Sequence, residues 1–127
     1  MKKLLLLAVI SLGLSSCQQS LEERCAEEAK KYTQKNCPAK IDEFTVMDSM
    51  TFDTPTHTLK YYYRLTGTAD REVQEQERMR KALLDALKNS TSMKAYKDAG
   101  YNFEYSFRSE KAPEVVLFSA KFTEKDY

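Results

Sequence analysis

The sequence predicts an α+β domain: a four-stranded antiparallel sheet made of two hairpins, with helices on one face, in the order α-β-β-α-α-β-β. Three observations predict it. Two pairs of segments alternate apolar and polar residues with the period of a strand. Stretches with a helical period separate and precede them. Only three glycines and three prolines occur in 127 residues, too few for long structureless loops.

From Leu21 to about Lys35, Leu21, Cys25, Ala29 and Tyr32 recur at spacings of four, four and three. That is one narrow apolar stripe on a helix. Ser20 is placed to cap it, with Glu22 and Glu23 in the first turn, where negative charge is favoured. Asn36-Cys37-Pro38 ends it, because the residue before proline avoids the helical region. Two strands follow. Phe44, Val46, Met50 and Phe52 share one parity, with Asp48 as the exception. Leu59, Tyr61, Tyr63 and Leu65 share a face opposite Lys60, Tyr62 and Arg64. Asp53-Thr54-Pro55-Thr56 between them is turn chemistry, so the pair reads as an antiparallel hairpin.

A second helix is expected from a cap at Asp70 to about Asn89, with Val73, Gln76, Arg80, Leu83, Leu84 and Leu87 inward. A short third helix, about 92–99, stops at Gly100. In the next strand Tyr101, Phe103, Tyr105 and Phe107 alternate with Asn102, Glu104, Ser106 and Arg108. After a turn over 109–113, the last strand shows Val116, Phe118, Ala120 and Phe122 on one face.

The N-terminus reads as an address. Met1-Lys2-Lys3 precedes a largely apolar run from Leu4 to Leu14, the pattern of a secretory signal peptide. The run is shorter than the roughly 20 residues of a spanning helix. Leu14-Ser15-Ser16-Cys17 resembles the lipobox of bacterial lipoproteins. The expected organisation is a signal peptide over 1–16, a lipidated tether over 17–20 and a single domain over 21–127. The resemblance implies diacylglycerol on the Cys17 thiol and two or three acyl chains on that residue. At about 0.8 kcal/mol per buried methylene, such chains hold a protein on a membrane without a basic patch. Gln18 is not the aspartate associated with inner-membrane retention in enteric bacteria, which favours the outer membrane for this exported protein.

Removing residues 1–16 takes Lys2 and Lys3 from the 20 basic residues and leaves 18 against 19 acidic ones. Nucleic-acid binding needs a basic face, so this near-neutral balance argues against it. With Cys17 assigned to lipid, Cys25 and Cys37 remain. Export to an oxidising compartment makes a disulfide between them possible. The bond requires the chain to turn straight back along the first helix, because Cys25 lies about 13.5 Å from residue 34 along its axis and a disulfide spans roughly 4.4–6.8 Å.

No catalytic constellation stands out. His57 is the single histidine and falls at a hairpin entry, where a solvated role is expected. No paired ligand spacing indicates a metal, and no glycine-rich phosphate loop or nucleophile elbow is present. Glu22/Glu23, Glu27/Glu28 and Glu75/Glu77 lie on helices rich in lysine and arginine and read as solvated faces. No cofactor is implied. The feature that reads as a binding surface is Lys60, Tyr62 and Arg64 on the outer face of the sheet, since tyrosine and arginine are favoured at interfaces.

Pro38-Ala39-Lys40-Ile41-Asp42, Tyr61-Tyr62-Tyr63 and Gly100-Tyr101-Asn102-Phe103-Glu104-Tyr105 resemble a group of small exported bacterial proteins, lipoproteins among them, of uncharacterised function. The resemblance covers residues 37–122 and implies a single α+β domain without assigning an activity. Members often carry a cysteine before the short helix and one at the very end, and this chain has neither. The reading that follows is a non-enzymatic binding or interaction domain held on a membrane through Cys17. Its partner would be an envelope protein or a small molecule. The alternatives are an accessory subunit of an envelope complex and, behind it, a small enzyme inhibitor.

Overall fold

The computed structural model describes residues 19–67 and 76–127. The expected signal peptide over 1–16, Cys17, Gln18, Asp70, Val73 and Glu75 lie outside the described residues. Helix α1 (Leu21–Asn36) is followed by strands β1 (Ala39–Asp42), β2 (Thr45–Asp53) and β3 (Thr58–Leu65). Helices α2 (Gln76–Asn89) and α3 (Lys94–Asp98) then lead to β4 (Asn102–Ser109) and β5 (Val116–Phe122).

Helix α1 forms as its stripe demands. Ser20 Oγ accepts from the Glu23 N–H at 3.1 Å, and Cys25 and Ala29 are buried. The chain leaves through Cys37, which is extended, into a cis Cys37–Pro38 peptide.

The strands form one five-stranded sheet in the order β1-β2-β3-β4-β5. The general α+β class holds, but the expected four antiparallel strands need two corrections. First, a short edge strand, β1, pairs antiparallel with β2, with Lys40 opposite Val46. Its four residues lack apolar alternation, and three of them are exposed, so no periodic signal marks it. Secondly, both hairpins exist, but β3 and β4 run parallel, with Tyr61 opposite Tyr105 and Tyr63 opposite Phe107. The chain leaves β3 at one end and returns through α2 and α3 to the other end before entering β4. A helical crossover of this kind joins parallel neighbours.

The parallel pair is central and carries much of the core. Leu59 and Phe103 are 1% and 0% exposed, and Phe122 is 0% exposed. Burial of this kind contributes roughly 1.5–3 kcal/mol per large apolar side chain. Two bulges correct the expected faces. In β2 the register shifts between Met47 and Ser49, so Met47 rather than Val46 is buried and Asp48 is the displaced residue. Where β4 meets β5 the register shifts again, Val116 is left 47% exposed, and Leu117 packs against the core instead. On α2, Met79, Leu83, Leu84 and Leu87 face the core. Gln76 and Arg80, expected inward, are exposed. The Arg80 guanidinium lies 4.6 Å from the centre of the Phe122 ring.

Candidate functional site

Helix α1 packs on β2 while α2 approaches β5, so the helices flank the middle of the sheet. Between them lies a cleft of about 530 Å³. Glu28 and Tyr32 of α1 form one wall, and Leu83, Ala86 and Leu87 of α2 form the other. Ser90, Ser92 and Met93 close one side. The floor is Met47 and Met50 of β2 with Tyr61, Tyr63 and Tyr105 of the parallel pair. Short side chains at Ala86, Ser90 and Ser92 leave the volume open. Methionines give an adaptable lining, as at binding surfaces that accept varied apolar groups.

The floor follows from the parallel register. Tyr61 and Tyr105 stack with ring centres 4.8 Å apart, and Tyr63 lies 6.5 Å from each and 4.5 Å from Phe107. Burial pushes the Tyr61 and Tyr63 hydroxyls up and Tyr105 up to about 12. All three are therefore neutral donors at physiological pH. Tyr61 donates to Met93 Sδ at 3.5 Å. Beside the cleft, Tyr96 donates to Glu28, and burial followed by the Glu28 carboxylate pushes Tyr96 up to about 12. Burial likewise pushes the Cys25 thiol up to about 12, where it is inert as a nucleophile.

The lining is apolar apart from Glu28, Ser90, Ser92 and the tyrosine hydroxyls. Its one carboxylate, Glu28, has no histidine, lysine or cysteine beside it among the lining residues. Among the described residues no group of three or more histidines, cysteines, aspartates and glutamates is placed to hold a metal ion. No helix among them is long and apolar enough to cross a membrane.

Lys60, Tyr62 and Arg64 lie together on the opposite face of the sheet, which no helix among the described residues lines at the depression there. Arg64 Nε bonds Asp48 at 3.1 Å, and its Nη1 lies 3.4 Å from Glu110. Lys60 and Tyr62 border a depression of about 290 Å³ with Glu104, Ser106 and Arg108. Cys25 and Cys37 are free thiols, which corrects the possible disulfide. Cys37 caps the end of α1, twelve residues and about 18 Å along the axis from Cys25. The chain then runs on into β1 instead of doubling back.

His57 is not merely solvated. Its Nε2 lies 2.6 Å from Glu22 Oε1, and its ring stacks on Tyr101 at 4.9 Å, pinning the first turn of α1 to the β2–β3 turn. Its φ of 51° is left-handed, and its carbonyl accepts from the Asn102 N–H at 2.8 Å.

Sequence reasoning placed Tyr61, Tyr63 and Tyr105 in the core and missed that they floor a cleft. The available signal was tyrosine where phenylalanine would serve, since a buried phenol needs a partner or an opening.

Over residues 20–118 the sequence matches the domain of unknown function DUF8479, and the chain belongs to that family. No curated protein matches it. Three solved structures share the fold. A Pseudomonas aeruginosa protein described as secreted aligns with a TM-score of 0.67 and 17% identity, over 86% of this chain and 98% of that one. The type II secretion system pilotin AspS from Vibrio cholerae aligns with a TM-score of 0.62 and 11% identity, over 90% and 98%. The pilotin EpsS of the Vibrio vulnificus type 2 secretion system aligns with a TM-score of 0.63 and 10% identity, over 84% and 90%.

Proposed function

We propose that this DUF8479 chain is a non-enzymatic binding domain carried on an exported lipoprotein, acting as an accessory subunit of an envelope complex. The observation that carries the reading is the apolar cleft between α1 and α2, which offers a partner a tyrosine and methionine floor. The fold shared with two secretion-system pilotins supports an accessory role in the envelope. The lining of the cleft supports binding over catalysis.

The anchor belongs to the same proposal. Lipid on Cys17 holds the protein on a membrane, and the absence of aspartate at position 18 favours the outer one. Helix α1 begins only four residues after Cys17. The Glu22–His57 contact sets that start beside the β2–β3 turn. This end of the domain therefore faces the bilayer. Glu28 and Tyr32 bring the cleft about 10–16 Å further along α1. A Cys17→Ala chain is expected to leave the membrane or remain unprocessed, and normal attachment would remove the anchor from the reading.

The test of the site compares the two faces of the sheet. A photo-crosslinker at Leu83 in the native envelope is expected to capture one defined protein. Ala86→Trp, which fills the cleft, should abolish capture, and Tyr62→Ala should leave it unchanged. Loss with Tyr62→Ala alone would move the site to Lys60, Tyr62 and Arg64. Capture indifferent to both variants would sink both surfaces.

A further inference from the structure

Tyr105 is only 7% exposed, yet its hydroxyl makes no hydrogen bond within the described residues, and neither does that of half-buried Tyr63. Among those residues no side-chain polar atom is both sealed from solvent and unbonded. Both hydroxyls therefore open into the cleft that their residues line. A nine-tenths buried tyrosine whose donor opens into an apolar cleft favours an occupant that supplies an acceptor, because an occupant that displaced solvent from the hydroxyl without one would leave the donor desolvated and unpaired.

The width of the cleft restricts the occupant. Strands lie about 4.8 Å apart, so the line from β2 to β5 spans about 14 Å. Two helices in contact sit 8–10 Å apart, and a third helix laid between them would need roughly 16–20 Å. With α1 contacting β2 and α2 contacting β5, that strand spacing leaves the space over β3 and β4 about one chain wide. A helix also has few carbonyls to offer, since its backbone acceptors are used internally. An acyl chain has no acceptors along its length and would leave both phenols dry. An extended polypeptide is one strand spacing wide, and its carbonyls and N–H groups are free.

We propose that the cleft takes a single extended polypeptide segment whose backbone carbonyls accept from Tyr63 and Tyr105 and whose apolar side chains meet Met50, Leu83 and Leu87. Glu28 and the hydroxyls of Ser90 and Ser92, at the walls, are the acceptors for its N–H groups. This assignment rests on the cleft being the partner site, and it adds the conformation and chemistry of the partner.

The experiment uses the full chain as bait for a display library of random short peptides, with Ala86→Trp as the control bait. Enriched peptides are expected to carry proline or β-branched residues that exclude a helix, and to be lost on the control bait. Tyr105→Phe, which removes only the hydroxyl, should weaken the enriched peptides about three- to tenfold, the measure of one hydrogen bond. Tyr63→Phe should act similarly. Enrichment of sequences with apolar residues at helical spacing, binding indifferent to both phenylalanine variants, or no enrichment at all would overturn the proposal. The crosslinking result separates the two levels. If Ala86→Trp abolishes capture in the envelope while the phenylalanine variants do not weaken it, the site stands and the extended segment fails. If Ala86→Trp leaves capture intact, the site itself fails.

Discussion

The two faces of the central strands carry opposite chemistry on the same residues' neighbours. On the inner face, β3 and β4 present Leu59, Tyr61 and Tyr63 beside Phe103, Tyr105 and Phe107, packed ring against ring. On the outer face the same strands present Lys60, Tyr62 and Arg64 beside Glu104, Ser106 and Arg108. There the register places Glu104 between Lys60 and Lys121, so opposite charges alternate across three strands. Arg64 and Arg108 stand opposite each other, but Arg64 is held by Asp48 and Glu110, and Arg108 donates to the Pro113 carbonyl at 3.1 Å. The outer face thus ties down its two arginines, whereas on the inner face the buried Tyr105 and half-buried Tyr63 hydroxyls make no hydrogen bond among the described residues. A charged strand surface is not a binding site merely because it is exposed. A polar group left waiting inside an apolar cleft is the more specific sign of a ligand.

The sharpest way to break this comparison is to truncate each face in turn. Phe103→Ala, at a wholly buried position, is expected to cost about 3–5 kcal/mol in urea unfolding. Tyr62→Ala on the outer face should cost within about 1 kcal/mol. Equal costs would show that the outer face packs as a second core.

Alkaline titration probes the inner face next. Burial raises Cys25 from its ordinary value of 9.0 to about 12 and Tyr105 from 10.0 to about 12. Above about pH 9 the unfolded chain gives up these protons while the folded one keeps them. The unfolded state then binds fewer protons, so stability falls as pH rises from about 9 towards 12. Chemical-denaturation midpoints should therefore drop across that window, and Tyr105→Phe should reduce the drop. A midpoint independent of pH there would mean that the phenols and the thiol are solvated. The smallest effect is expected at Arg64→Ala. Its two ion pairs are partly exposed, with side-chain exposures of 32% for Arg64 against 43% and 45% for its partners. Pairs of this kind contribute about 0–1 kcal/mol, and a larger loss by the same assay would mark the outer face as a built site.

Legibility followed the range of the interactions concerned. The stripe of α1, its Ser20 cap and the inward faces of β3 and β4 were readable because each depends on neighbours within a turn or a pleat. The parity of β2 was misread because the bulge at Asp48 shifts the residues before it, and a bulge is settled by the partner strand. The isolated Asp48 in an otherwise apolar parity was its only trace. Strand β1 was invisible because four mostly exposed residues hold their place through pairing with β2 alone. The candidate site was half legible. Its tyrosines were placed inward, but the opening above them depends on where two helices land.

The sequence by itself determined which residues of each central strand face inward, where α1 begins and ends, and that the chain is near-neutral and rich in tyrosine. Those are matters of local period, capping and composition. Only the tertiary structure decided that β3 and β4 run parallel, that Cys25 and Cys37 stay apart, and that α1 and α2 settle far enough apart to leave Tyr63 and Tyr105 facing a cleft. Each of these depends on contacts between segments distant in the chain, where packing rather than local preference selects the arrangement.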